Sequence, residues 1–116
     1  MSRLAPEGGG SAKRRQHAAL FAALGDETRL SLLTTLSAGE PRSIAQLTGG
    51  SRLTRQAITK HLRVLESAGL VHSVRSGRES RFAFDPAPMN ELKDYLARVS
   101  EQWDQALGRL KSLVEG

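Results

Sequence analysis

Cysteine is absent from this 116-residue chain, so it can form no disulfide and offers no thiolate to a metal ion. Aromatic residues are scarce, at 4%, with one Trp and one Tyr. That is too few for the stacking platform on which single-stranded RNA is read. No apolar run approaches the ~18 residues that cross a bilayer, and the first residues lack the apolar stretch of a secretory signal. The expectation is a cytoplasmic protein with no membrane partner. Signatures of catalysis are missing as well: there is no Gly-x-Ser-x-Gly, no phosphate-cradling glycine loop after a strand, no His-Glu-x-x-His and no convincing carboxylate pair. The only histidines are His17, His61 and His72, none with a His or carboxylate three or four residues on. An enzyme, a cofactor and a metal site are therefore not expected.

What the chain does have is positive charge, +5 overall, and its placement is uneven. Between Arg42 and Arg81 there are eight basic residues and only Glu66 and Glu79 to oppose them, whereas from Pro86 onward four basic residues meet five acidic ones. A cationic middle segment is either a solvated face or a footprint for nucleic acid.

The length suits one domain. Residues 1–15, with Pro6, three consecutive glycines and a Lys13-Arg14-Arg15 ending, have the composition of a flexible basic N-terminal arm, a plain tail or an arm touching the DNA backbone. Residues 16–116 form the domain. A first helix is expected over Gln16–Leu24, stopped by Gly25. A second follows Asp26 as N-cap, with Leu30, Leu33 and Leu36 along one side and Gly39 and Pro41 beyond its end. Ser43 caps a short third helix carrying Ile44 and Leu47. The fourth runs from Thr54 to about Ala68, with Ile58, Leu62 and Leu65 as its buried stripe and Gln56, Thr59, Lys60 and Arg63 on the other side. Strands are expected at Leu70–Arg75 and Ser80–Phe84, joined at Ser76-Gly77, with Arg78 at the tip, Phe82 and Phe84 inward and Arg81 outward. Asp85-Pro86-Ala87-Pro88 ends the sheet. The last helix, Met89–Val114, carries Leu92, Leu96, Val99, Trp103, Ala106, Leu110 and Leu113 at alternating spacings of four and three. It is roughly 40 Å long, longer than a core this small, so the seam packs either on its own domain or on a second copy of itself. Tyr95 and Trp103 read as interface packing or as walls of an apolar ligand pocket.

A short helix, a Gly-containing turn, a helix with a cationic face and a hairpin with Arg at its tip make a winged helix-turn-helix. The fold class is thus mainly α (α+β winged helix): five helices and a two-stranded wing, in the order α-α-α-α-β-β-α.

Phe21-Ala22-Ala23-Leu24-Gly25-Asp26-Glu27-Thr28-Arg29-Leu30-Ser31-Leu32-Leu33 resembles the opening of the ArsR-type repressors, the arsenical-resistance family of winged-helix regulators. The stretch from Leu53 through Thr59-Lys60-His61-Leu62 to Gly69-Leu70-Val71 resembles that family's recognition helix and its exit, and Ser76-Gly77-Arg78-Glu79 its wing. The resemblance covers roughly Ala18 to Val114. It implies a repressor that binds an inverted repeat in double-stranded DNA as a homodimer, built on the first and last helices, and leaves DNA when a signal binds. Base contacts would come from Arg55, Gln56, Thr59 and Lys60, because Gln pairs two-pronged with adenine and Arg with guanine. Thr54 and His61 would meet phosphates. Arg63 would join them or stay an ordinary surface residue. Arg75, Arg78 and Arg81 would serve the wing. Leu20, Phe21, Leu92, Leu96, Val99, Trp103, Ala106, Leu110 and Leu113 would form the dimer interface. Arg29 would be structural, paired with a nearby acid.

The chain departs from the family where metals bind. Ile44-Ala45-Gln46-Leu47 holds no thiol, and the last helix has Asp94 and Asp104 but no His. The expected signal is then a small molecule, a protein partner, or concentration alone. The rival reading is a dimeric protein-interaction or small-ligand-sensing module on the same fold with reduced DNA binding; Arg55, Lys60 and Arg63 oppose it.

Overall fold

Caps set most of the element boundaries in the computed structural model, which describes Gly8–Glu115. The order is α1 (Gly8–Leu24), α2 (Glu27–Ser37), β1 (Arg42–Ser43), α3 (Ile44–Thr48), α4 (Arg55–Ser67), β2 (Val71–Ser76), β3 (Glu79–Phe84) and α5 (Ala87–Glu115). Asp26, Ser43 and Thr54 are the N-caps of α2, α3 and α4, each accepting a backbone N–H from the first turn. At Ser43 the cap is reciprocal: the Gln46 side chain accepts from the Ser43 N–H at 2.9 Å. Helix α4 ends in a Schellman turn. The N–H of Leu70 donates to the Leu65 carbonyl and that of Gly69 to Glu66, both at 2.9 Å, with Gly69 at φ +79°. That turn aims the chain directly into β2.

The two hairpin strands pair from Val71↔Phe84 to Ser76↔Glu79, leaving Gly77-Arg78 as the loop. Gly77 has φ +66° and, among the described residues, no non-glycine residue has positive φ, the pattern of a type II′ turn. A third strand, not expected from sequence, joins this sheet: β1 pairs antiparallel with β3 through Arg42↔Phe82 and Ser43↔Arg81, giving the order β1-β3-β2. Two residues are too few to show an alternating pattern, which is why the sequence did not announce it.

One core joins the elements. Ile58, Leu62 and Leu65 of α4, with Leu70 and Val71, are the most deeply buried large side chains, and Leu20, Leu33, Leu36, Leu47, Phe82 and Leu92 close around them. In α2 the inner side is Leu32, Leu33 and Leu36, while Leu30, expected among them, is 49% exposed. Helix α1 begins at Gly8, eight residues before the expected Gln16. Ala12 and the following basic residues are good helix formers, and Arg15 donates to the Ser11 hydroxyl one turn back at 2.9 Å. Gly8–Arg15, assigned to the arm, is therefore helical; Met1–Glu7 lie outside the described residues.

Helix α5 has 29 residues, about 44 Å at 1.5 Å per residue. Its start lies on the body, where Leu92 is 2% exposed, while Leu96, Trp103, Leu107, Leu110, Leu113 and Val114 are exposed. The radius of gyration is 19.2 Å, against about 13 Å for a compact chain of this length. The difference is the projecting helix. No helix among the described residues is long and apolar enough to cross a membrane.

Candidate DNA interface

Helix α3, a turn through Gly49 and Gly50, and α4 form the helix-turn-helix. Gly50 takes φ +79°, which lets the chain reverse without a Cβ clash. Because Ile58, Leu62 and Leu65 anchor one side of α4, helical geometry turns Gln56, Lys60 and Arg63 the opposite way, and all three are exposed. Arg55 is exposed at the helix start, where backbone N–H groups also point outward. The Thr54 Oγ1 is occupied as cap, accepting from the Ala57 N–H at 3.1 Å. Thr59 donates its hydroxyl proton to the Arg55 carbonyl at 2.7 Å, so toward a ligand it offers a methyl and an acceptor.

The structure sets His61 apart from this group. Its side chain is 23% exposed, with Nδ1 3.7 Å from the Asp26 carboxylate and 3.3 Å from the Arg29 guanidinium. His61 lies toward the apolar edge of α4, where α1 and α2 pack, and is an internal joint rather than a free phosphate contact. Arg29 is structural, but among the described residues its guanidinium forms no salt bridge with an acid. Nε donates to the Ala23 carbonyl at 2.6 Å and Nη2 to that of Ala22 at 3.2 Å, covering the end of α1. The nearby acid, Asp26, takes the Arg29 backbone N–H at 3.0 Å. That bond, with lesser help from the His61 and Arg29 charges, holds the Asp26 carboxyl below its usual pKa.

The wing projects beyond the core. Arg78 stands exposed in the two-residue tip. The register places Arg75 across from Ser80 and Arg81 across from Val74, so Arg75 and Arg81 leave the ribbon on opposite faces. Arg81 is also held by Glu79 at 2.9 Å. Arg75 and Arg78 are thus the wing cations without a salt bridge among the described residues. At the hairpin's root, His72 Nε2 meets the Asp85 carboxylate at 2.5 Å. The Ala87 N–H first, and His72 next, hold the Asp85 carboxyl below its usual pKa.

The expected dimer set divides in two. Leu20 and Leu92 are 5% and 2% exposed inside the protomer's own core, so they are not interface residues; both sit where α1 and α5 still cover the body. Phe21, Leu96, Trp103, Ala106, Leu110 and Leu113 are exposed and Val99 is half-buried. Leu107 and Val114, also exposed, extend the apolar side.

A family model described as a helix-turn-helix domain matches residues 24–74. An HTH-type transcriptional regulator of Bacillus subtilis, YuzN, is 42% identical over 80 residues, 64% of this chain and 87% of that protein. An ArsR-like transcriptional regulator from Rhodococcus sp. RHA1 superposes with a TM-score of 0.79 at 38% identity, covering 88% of this chain and 95% of that one. A Mycobacterium bovis winged helix-turn-helix domain, described as homodimeric, shares the fold at a TM-score of 0.67 and 22% identity, covering 88% of this chain and 92% of that one. On these relationships and on the winged helix-turn-helix described above, the chain belongs to the ArsR family of transcriptional regulators.

Proposed function

We propose that the protein is a repressor that binds an inverted-repeat operator as a homodimer in the cytoplasm, and that its signal is not a metal ion. The observation that carries DNA reading is the exposed side of α4, where Arg55, Gln56, Lys60 and Arg63 stand opposite a fully buried stripe. Arg75 and Arg78 supply sequence-independent backbone contacts from the wing. Thr54 adds its exposed position at the start of α4, and Thr59 offers its methyl to a thymine. The outward apolar side of α5 supports the dimer, as does the homodimeric M. bovis domain of the same fold. Two recognition helices related by a dyad would enter successive major grooves about 34 Å apart. The absence of Cys argues for a signal other than a thiophilic metal.

The test is a pair of titrations, operator and scrambled duplex, across a salt series, with the operator first selected from a random pool. Gln56→Ala should weaken operator binding by about 1–3 kcal/mol and leave scrambled DNA nearly unaffected. Arg78→Ala should weaken both and flatten the salt slope by about one unit for each phosphate it no longer neutralises. Equal weakening on both duplexes for Gln56→Ala would show that this side of α4 does not read bases.

A further inference from the structure

A pocket of about 220 Å³ lies between α1 and α5, and its chemistry belongs to neither DNA reading nor helix packing. Helix α1 runs antiparallel to both α4 and α5. Ala19 shares a groove with Ser67 and Ala68, Gln16 and Leu20 lie by Pro88 and Glu91, and Lys13 and His17 lie by Tyr95 and Val99. Ser67 is already about 18 Å along α4 from Arg55, and the pocket lies farther out, so its cations do not share a phosphate with the recognition helix.

Lys13, Arg14 and Arg98 line this pocket, all exposed, and none forms a salt bridge among the described residues. Three like charges thus line one pocket with no salt-bridge partner among the described residues. The second observation is His17. It is 7% exposed, it lines the same pocket, and its ring lies 4.6 Å from that of Tyr95 at a 39° tilt. Its ring nitrogens have no hydrogen-bond partner among the described residues, unlike those of His61 and His72. Buried polar groups are normally paired, so an unpaired one facing a cationic pocket marks a place where a ligand's acceptor completes the bonding. The remaining wall is apolar, from the Tyr95 ring and Val99. The volume falls below the ~300–1,000 Å³ of drug-sized sites, enough for a single ring and too small for a nucleotide.

We infer that this pocket binds a small aromatic carboxylate. Arg98 and Lys13 hold the carboxylate, Arg98 in two-pronged fashion, His17 donates to it, and the ligand's ring covers Tyr95 and Val99. The pocket borders the exposed side of α5. On the dimer reading above, occupancy changes how the subunits meet and hence operator affinity.

The experiment is an NMR titration of DNA-free protein carrying ¹³C-labelled histidine, with benzoate as probe and inorganic phosphate as competitor. Benzoate should move the His17 ring signals to saturation and leave those of His72 unmoved. The double variant Lys13→Gln, Arg98→Gln alters only exposed side chains, so it keeps the fold, which its circular dichroism verifies; it should weaken binding at least tenfold. A shift that never saturates, an affinity unchanged in the variant, or phosphate displacing benzoate at equal concentration would overturn the site. Operator affinity at saturating benzoate is a separate reading: a change supports the coupling, and no change removes it while leaving the site intact. Because the titration contains no DNA, its result stands whether or not the protein is a repressor.

Discussion

Truncating Trp103 should split the dimer without touching the protomer. Trp103 is 68% exposed in the single chain. A whole Trp side chain presents up to ~250 Å², so about 170 Å² of it awaits cover. At ~25 cal/mol per Å² full cover contributes about 4 kcal/mol, and half cover about 2. A symmetric interface counts the residue twice. Trp103→Ala should therefore weaken association by at least about 4 kcal/mol, near a thousandfold in Kd. Trp103→Asp should do more, since it sets a charge into an apolar seam. Sedimentation equilibrium over a concentration series reads this directly: the wild-type chain should run at twice 12.6 kDa at micromolar concentration, and the variants should run as monomers there. Thermal unfolding of the variants, extrapolated to the monomer, should show no loss of intrinsic stability. Wild-type protein that stays monomeric at 100 µM would refute the dimer. A folded Trp103→Ala with unaltered association would refute the α5 seam as its interface.

Three further outcomes are expected. Ser43→Ala removes the hydroxyl that accepts the Gln46 N–H, leaving the Ser43 backbone N–H on the Gln46 side chain, and should cost about 1 kcal/mol, roughly 4 °C in Tm by calorimetry; an unchanged Tm would show that the hydroxyl cap contributes nothing net. Asp85 has its folded pKa lowered, first by the Ala87 N–H and then by His72. The stability it contributes is complete above its unfolded value of about 3.8 and is lost as pH falls through the lower folded value; Asp85→Asn should remove that acid-side dependence, seen as a flatter Tm-against-pH curve below pH 4. Stoichiometric zinc, copper or arsenite should leave operator affinity unchanged, because no three metal-ligating side chains converge among the described residues; a tenfold loss at one equivalent would overturn the non-metal switch.

What was legible in the sequence followed from local chemistry. Asp26, Ser43 and Thr54 announced helix starts because a short oxygen-bearing side chain before an apolar period satisfies orphan N–H groups. Gly69 and Gly77 announced reversals because both backbones need φ > 0. The Ile58, Leu62, Leu65 stripe fixed which side of α4 is free. What was hidden depends on distant parts of the chain. His61 sits four residues past Ala57 on the edge of that stripe, and only the packing of α2 against α4 shows that Asp26 and Arg29 reach it. Arg29 looked like half of an ion pair, whereas its guanidinium donates to two carbonyls at the end of α1, which the helix itself leaves without partners. Leu20 and Leu92 carry the right spacing for the interface, but periodicity says which side of a helix is apolar, not which neighbour covers it. The run of basic residues in Lys13–Arg15 suggested a tail, and helix propensity through Ala12–Arg15 extended α1 instead.

The contacts of α1 explain how one small fold can link a dimer seam to a DNA-reading helix. At one end α1 meets α5, with Tyr95 stacked on His17 and edge-on to Phe21 at 6.3 Å. At the other, Arg29 of α2 covers the Ala22 and Ala23 carbonyls and touches His61 of α4. His61 is six residues from Arg55, about 9 Å up the recognition helix. Helix α1 is therefore a short strut between the subunit-facing helix and the pivot of the DNA-facing one. A close-packed core transmits a shift of such a strut rather than absorbing it. If a ligand or partner that shifts α5 against α1 also shifts α4, the reciprocity of linked equilibria requires DNA to alter its affinity for that ligand by the same factor.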